Sequence, residues 1–594
     1  MKIFLITFIY LILAIGLNAQ SFIMNPYGRD NTKLLNGKWN AIVDQYSRGE
    51  KKQFYLNQIA TEDTKFLEYG FEGAMRLDVP GDFNSQYPEL KYYEGDIWYQ
   101  RYFEANKQNH KRSFIYFAGV SYEATVWLNG KKVGNHEGGF TPFQFEVTDL
   151  LKEGKNDIVV KVNNNRKKDR IPAMNFDWWN YGGILRDVFL VQTPDTFIRD
   201  YKIQLKKNEK KIISGYVQLD GAKLSQQVTV SIPELKIEKI VSTNNNGYAS
   251  FEIKAKPKLW NPDSPKMYNV SIISEQKEQV KDEIGFRNIS VNGDDILLNG
   301  EKVFLKGVNF HEEIPQRLGR AYSTADAAMI IEEVTALGCN FIRTAHYPQN
   351  EHIIRLAEKK GLMIWEEIPL WQGIDFKNPV VLDKAINMLR EMIYRDKNRA
   401  GIIIWSVANE TKPSNYRDKV LTDLINLAHE LDDTRLVGAA FDNPRYDPET
   451  STFNIKDDIS KIVDVVGVNK YMGWYMPWPT DPSNIKWNVA LDKPLIMTEF
   501  GCESLYGKIG DKDKAHSWSE DYQKDLYLKN LEMFKNIPNL SGTSPWVLFD
   551  FRSPYRCHPK NQEGWNRKGL ISDKGQRKKA WFVMKNYYNN IDMK

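Results

Sequence analysis

After Asn299-Gly300 the chain changes its pattern, and short apolar runs of strand character begin to alternate with longer segments of helical period, the pattern of a parallel β/α structure. The runs lie at 304–308, 340–344, 362–365, 401–407, 435–440, 465–469, 494–498 and 544–549. That is about eight, the number that closes a (β/α)8 TIM barrel, and the chain from 291 to 594 has the length such a barrel needs. Helices are predicted over 324–337 with Thr324 as cap, over 351–360 ended by Gly361, and over 379–396.

Ahead of that change the pattern is all-β. From 20 to 194, short alternating runs such as 114–117 and 124–128 are punctuated by turn residues, among them Asn129-Gly130, and read as a β-sandwich. From 195 to 290 the same style continues at 214–219, 227–232 and 268–274, with a turn at Trp260-Asn261-Pro262-Asp263, and predicts a second, smaller sandwich. A multidomain chain is also what 594 residues imply, since single cores stop growing well below that length.

At the N-terminus Lys2 precedes an apolar run over 3–17, and Ala19 stands before Gln20 as at a signal-peptidase site. A signal peptide over 1–19 and export to the periplasm or the medium are expected. The run is shorter than the roughly 20 residues that span a bilayer, and no later segment is apolar enough, so no membrane span is expected in the mature chain. A net charge of +5, spread along the chain, speaks against a nucleic-acid partner. Cys339, Cys502 and Cys557 do not suggest a disulfide framework, although one pairing stays open. His311-Glu312-Glu313 lacks a second histidine at helical spacing, so no metal site is expected, nor any cofactor. Oligomeric state is left open, a homo-oligomer included.

Barrel active sites form where strands end, so polar residues just past each apolar run come first. The run 402–408 leads into Asn409-Glu410, and 494–498 leads into Glu499, which directs both glutamates to one mouth. Two carboxylates supply what breaking a glycosidic bond needs: a proton for the leaving oxygen and negative charge for an oxocarbenium-like transition state. Glu366 and Glu367 also follow a strand, and spacing does not choose among the four. Asn409 adds an amide beside Glu410 that suits a sugar hydroxyl. A 13% aromatic content offers flat faces for sugar rings, although most such side chains fill cores.

The strings 401–410 (GIIIWSVANE) and 498–501 (TEFG) resemble the acid/base and nucleophile motifs of the family 2 glycoside hydrolases. Further similarity runs through 36–39, 126–130, 136–140, 180–184, 284–287 and 343–348, nearly the whole mature chain. The resemblance implies a jelly-roll-like sugar-binding domain over 20–194, an immunoglobulin-like sandwich over 195–290 and a catalytic TIM barrel over 291–594. It makes Glu410 the general acid/base and Glu499 the nucleophile, with carboxyls about 5–5.5 Å apart and retention of anomeric configuration. It gives Arg343 and Tyr471 the task of holding the nucleophile, and leaves Glu366 and Glu367 supporting roles.

Within the family the chain looks most like the β-glucuronidases, because Asn566-Arg567-Lys568-Gly569 is similar to their motif for the sugar carboxylate. Asp177, His346, Asn409, Tyr471, Tyr475 and Trp546 would complete the sugar pocket, Trp546 by stacking. Lys470, Met472 and Phe500 depart from the glucuronidase pattern, and 544–554 looks like members whose sugar is galactose. A β-galactosidase is therefore the alternative, and a non-catalytic carbohydrate-binding protein the alternative of a different class.

Overall fold

Asn129 and Gly130, at φ 52° and 77°, turn strand Glu123–Leu128 back onto Lys131–Glu137, the geometry a two-residue hairpin requires. This hairpin edges a six-stranded antiparallel sheet that faces a four-stranded one holding Lys111–Phe117 and Val188–Pro194. Alternate residues of both sheets, among them Trp39, Tyr99, Ile115, Val126 and Val160, fill the core between them. The structure, a computed structural model, describes residues 23–59, 69–107, 111–488 and 492–591, and the expected signal peptide over 1–19 lies outside them.

The second sandwich sets a three-stranded sheet, Phe197–Leu205, Ile212–Asp220 and Tyr248–Lys254, against a four-stranded sheet that ends with Met267–Ser274 and Gln279–Gly285. Arg287, just past it, donates to the carbonyls of Ala400 at 3.1 Å and Thr434 at 2.9 Å. Those carbonyls precede barrel strands, so the small sandwich sits under the amino ends. Strand Ile289–Asn292, which spans the expected boundary at 290, pairs with Asp295–Leu298. Ile296 and Leu298 of this hairpin pack with Trp365, Ile404 and Ile496 in the barrel floor.

The barrel strands in chain order are Leu305–Lys306, Phe341–Thr344, Met363–Glu367, Ile402–Asn409, Leu436–Phe441, Val465–Asn469, Leu495–Glu499 and Leu540–Thr543. Neighbours pair in parallel, and Arg343 N donating to Val308 O at 3.2 Å closes the ring between strands one and two. Seven strands overlap their predicted runs; the eighth was expected at 544–549 and is Leu540–Thr543. A Cβ at Gly542 would stand 2.6 Å from Leu305 Cβ, so strands eight and one meet where only glycine fits. The apolar run 544–549 instead crosses the mouth, stitched by Asn309 N to Pro545 O and Leu548 N to Asn309 O.

The predicted helices appear as Thr324–Leu337, Glu351–Lys359 and Pro379–Asp396. The cap of the first is Ser323 rather than Thr324, because Ser323 is extended and forms a reciprocal capping box with Asp326. Among the described residues no α-helix follows strands five and six; a small sheet of Arg445–Asp447, Thr452–Asn454 and Lys486–Asn488 stands there. Cys339, Cys502 and Cys557 are free thiols. No described helix is long and apolar enough to cross a membrane.

Candidate active site

Strands four and seven carry Glu410 and Glu499 to the carboxyl face, where both line one cavity of about 330 Å³. Asp177, His346, Tyr471, Tyr475, Trp546 and Lys568 line it too. Asn409 and Asn566, the other expected residues, stand behind the wall.

Glu499 is held from two sides. Arg343 Nη1 donates to its Oε1 at 2.7 Å and the Tyr471 hydroxyl to its Oε2 at 2.7 Å. Burial raises the Glu499 carboxyl above its ordinary value, and Arg343 and Tyr471 work against that rise by favouring the ionised form. Arg343 is itself fixed by Glu367, whose Oε1 and Oε2 accept from Nη2 at 3.0 Å and Nε at 3.1 Å. Burial opposes ionisation of Glu367, yet Arg343 and His346 bring its carboxyl below the ordinary range. His346 Nδ1 lies 2.7 Å from Glu367 Oε1, while Nε2 faces Glu499 Oε1 at 3.6 Å. Trp546 stacks on the His346 ring at 4.8 Å. Glu366 points away from this network to Arg395, at 2.8 Å.

Glu410 has a different environment. Its Oε1 accepts from Asn469 Nδ2 at 2.8 Å and its Oε2 from Gln372 Nε2 at 2.8 Å, with no cation in contact among the described residues. Burial first, then the charges of Glu499 and Asp442, push its carboxyl up to about 7, and the two amide donors only partly offset this. Its backbone sits at φ 52°, a left-handed conformation that side chains adopt at a cost and that functional sites retain. One carboxyl is thus cation-paired and its neighbour retains a proton near neutrality, the division that acid/base work beside a nucleophile requires.

Asn409 Oδ1 accepts from Arg343 Nη2 at 2.7 Å and from Asn469 Nδ2 at 3.0 Å. Its Nδ2 is buried without a partner among the described residues.

At the far end, Lys568 Nζ donates to the Tyr475 hydroxyl at 2.7 Å, and Glu503 is its nearest carboxylate at 3.7 Å. Asn566 Oδ1 accepts the backbone N–H of Lys568 at 3.2 Å, and its Nδ2 donates to Asp177 at 3.3 Å, so it positions this loop. Asp177 reaches the cavity from the first domain as expected, but its carboxylate is engaged by Arg556, Ser553 and Asn566.

Sequence reasoning missed Gln372, Asp442 and Arg556. Asp442 had a signal, since it directly follows strand five. Gln372 is brought beside Glu410 by its N–H bonding to Asn409 O at 3.0 Å, and Arg556 by the loop between the short paired strands Phe551–Arg552 and Trp565–Asn566; neither is marked in the sequence.

Three family models match consecutive segments: "Glycosyl hydrolases family 2, sugar binding domain" over 32–194, "Glycosyl hydrolases family 2" over 196–287, and "Glycosyl hydrolases family 2, TIM barrel domain" over 289–593. The chain belongs to glycosyl hydrolase family 2. This family 2 glycoside hydrolase is most like the β-glucuronidases. It is 30% identical to a putative β-glucuronidase of Formosa agariphila across 84% of its own length, and spans 64% of that longer protein. It is 27% identical to the β-glucuronidase of Rattus norvegicus, with 94% of this chain and 91% of that one covered. Among solved structures, an uncultured Clostridium sp. β-glucuronidase superimposes with a TM-score of 0.82 at 26% identity, covering 96% of this chain and 100% of that one. A Bifidobacterium dentium β-glucuronidase complexed with coumarin-3-O-glucuronide gives 0.83 at 25% identity, covering 96% and 99%.

Proposed function

We propose that this hydrolase removes terminal β-D-glucuronic acid from oligo- or polysaccharides, acting from the chain end with retention of configuration. The observation that carries the reading is Lys568, an ammonium 1% exposed in its side chain that lines the cavity holding Glu410 and Glu499. A buried cation that hydrogen-bonds the Tyr475 hydroxyl and has Glu503 no nearer than 3.7 Å suits a carboxylate, with which it forms charge-assisted hydrogen bonds. The β-glucuronidase relatives support the same sugar.

In the first step Glu410 donates its proton to the glycosidic oxygen while Glu499 attacks the anomeric carbon, and the leaving group departs with the proton. Arg343 and Tyr471 keep the attacking carboxylate aimed. Once Glu499 is esterified its charge is gone, one cause of the high Glu410 pKa disappears, and Glu410 takes a proton from the attacking water. The product keeps the configuration of the substrate. The N-terminal pattern supports export, so the substrates would be polysaccharide fragments met in the periplasm or the medium.

The test compares nitrophenyl β-D-glucuronide with nitrophenyl β-D-galactoside. The wild type is expected to prefer the glucuronide, and Lys568→Ala to lose about 1.5–3 kcal/mol of transition-state binding on it, tenfold or more in kcat/KM. Faster hydrolysis of the galactoside by the wild type would overturn the assignment.

A further inference from the structure

The cavity has a second end. A general acid must stand beside the oxygen it protonates, so the wall next to Glu410 receives whatever the sugar is attached to. Gln372 is on that wall by its bond to Glu410, and Asp442 by the effect of its charge on Glu410. Lys470 follows, close enough for its charge to act on Asp442. Three consecutive residues at the end of strand six are thereby shared out: Asn469 to the acid, Lys470 to this wall, Tyr471 to Glu499.

Lys470 is 6% exposed and lines the cavity. Its Nζ makes one hydrogen bond, to the Pro444 carbonyl at 3.2 Å, and lies 5.1 Å from the centre of the Phe453 ring. An ammonium has three donors, so two remain unfilled among the described residues. Among the described residues no carboxylate stands within ion-pair distance of it, Asp442 included, whereas buried Lys397 and Lys578 each have an aspartate, at 2.6 and 2.8 Å. Burial pulls the Lys470 pKa down from the ordinary lysine value, with Asp442 acting against the shift. A buried cation without a counter-ion is costly, and an anion in the cavity would offset that cost. Pro444 and Phe453 belong to the segment where the barrel has a small sheet in place of a helix, so this wall is set by that excursion.

We propose that this wall is a leaving-group subsite for an anionic sugar, one carrying a carboxylate or a sulfate ester that Lys470 holds across the scissile bond from Lys568. The proposal rests on the glucuronidase reading and extends it to the second sugar. The substrate would then be a linkage between glucuronic acid and an acidic residue of a polyanionic polysaccharide.

The experiment uses the full chain and three disaccharides with glucuronic acid β-linked to a neutral sugar, to a uronic acid, and to a sulfated sugar, with nitrophenyl β-glucuronide as reference. The wild type is expected to show kcat/KM about tenfold or more higher on at least one anionic disaccharide than on the neutral one, mainly through KM. The anion that benefits identifies the source of the charge. In Lys470→Met the anionic-to-neutral ratio is expected to collapse toward one, and in Lys470→Arg to be largely kept. Equal rates on all three disaccharides by the wild type, or a Lys470→Met loss equal on all three, would overturn the subsite, the latter marking a purely structural lysine. Absence of activity on nitrophenyl β-glucuronide would sink the glucuronidase reading itself, which keeps the two failures apart.

Discussion

Glu410 and Glu499 are the same side chain with different neighbours, and the neighbours decide their chemistry. Glu499 faces a guanidinium and a phenol, whereas Glu410 faces two neutral amides and lies within reach of two other carboxylates. With the Glu410 pKa at about 7, the acid form that the proposed first step uses is lost as pH rises through that value. The kcat/KM for a glucuronide is therefore expected to be limited on its alkaline side by Glu410, falling about tenfold per pH unit above the limb. Asp442 is one of the charges that raise this pKa, so Asp442→Asn is expected to move the alkaline limb to lower pH. A pH profile of kcat/KM for both proteins checks this, and an unmoved or upward-shifted limb would contradict the assignment. The sequence marked Glu410 as a polar residue after an apolar run, a position it shares with Glu367, and only the motif at 401–410 separated the two. The physical difference lies in Arg343, which Glu367 grips along its side and which in turn points at Glu499.

Among the elements, the eighth barrel strand is the one whose reading failed. Leu540-Ser541-Gly542-Thr543 lacks an apolar run because Gly542 pairs with both Leu305 and Ile496, and the approach to Leu305 leaves no room for a side chain. A strand selected for closeness is invisible to a search for hydrophobic length. The error had a consequence for the site, because the run taken as the strand is the segment that lays Trp546 against His346. Gly542→Ala would bring a methyl within 2.6 Å of Leu305 Cβ and 2.9 Å of its carbonyl oxygen. It is expected to destabilise the barrel by about 1–3 kcal/mol, the range of overpacked cores, read as a lower midpoint in chemical denaturation. Wild-type stability in that variant would show that the two strands have slack.

At the scale of the whole molecule, the first sandwich and the barrel are joined by a buried ion pair, Arg186 with Glu312 at 2.8 Å. Arg186 also donates to the carbonyls of Phe140 and Pro348, both at 2.7 Å, and Glu312 Oε2 accepts from Asn350 N at 2.6 Å, where helix Glu351–Lys359 starts. This junction lies near the arm that carries Asp177 into the cavity, so domain docking and site assembly are linked. Glu312→Ala leaves the guanidinium buried and unpaired and is expected to cost about 3–5 kcal/mol. The double variant Arg186→Met with Glu312→Leu is expected to recover much of it, because no charge is then stranded. Thermal unfolding of the three proteins checks both, and a Glu312→Ala midpoint equal to the wild type would contradict the role given to the pair.

The sequence by itself determined the order of two sandwiches and a barrel, seven of the eight strands, three helices close to their ends, and the two glutamates that the barrel brings to one mouth. Those features follow from local periodicity, caps and turns, whose physics is confined to a few neighbouring residues. Only the tertiary structure decided which carboxyl is cation-paired, that Lys470 has no carboxylate at ion-pair distance among the described residues, and that Gln372, Asp442 and Arg556 belong to the cavity. Charge, burial and partnership depend on residues hundreds of positions apart, such as Asp177 with Arg556, and the folded chain alone brings them together.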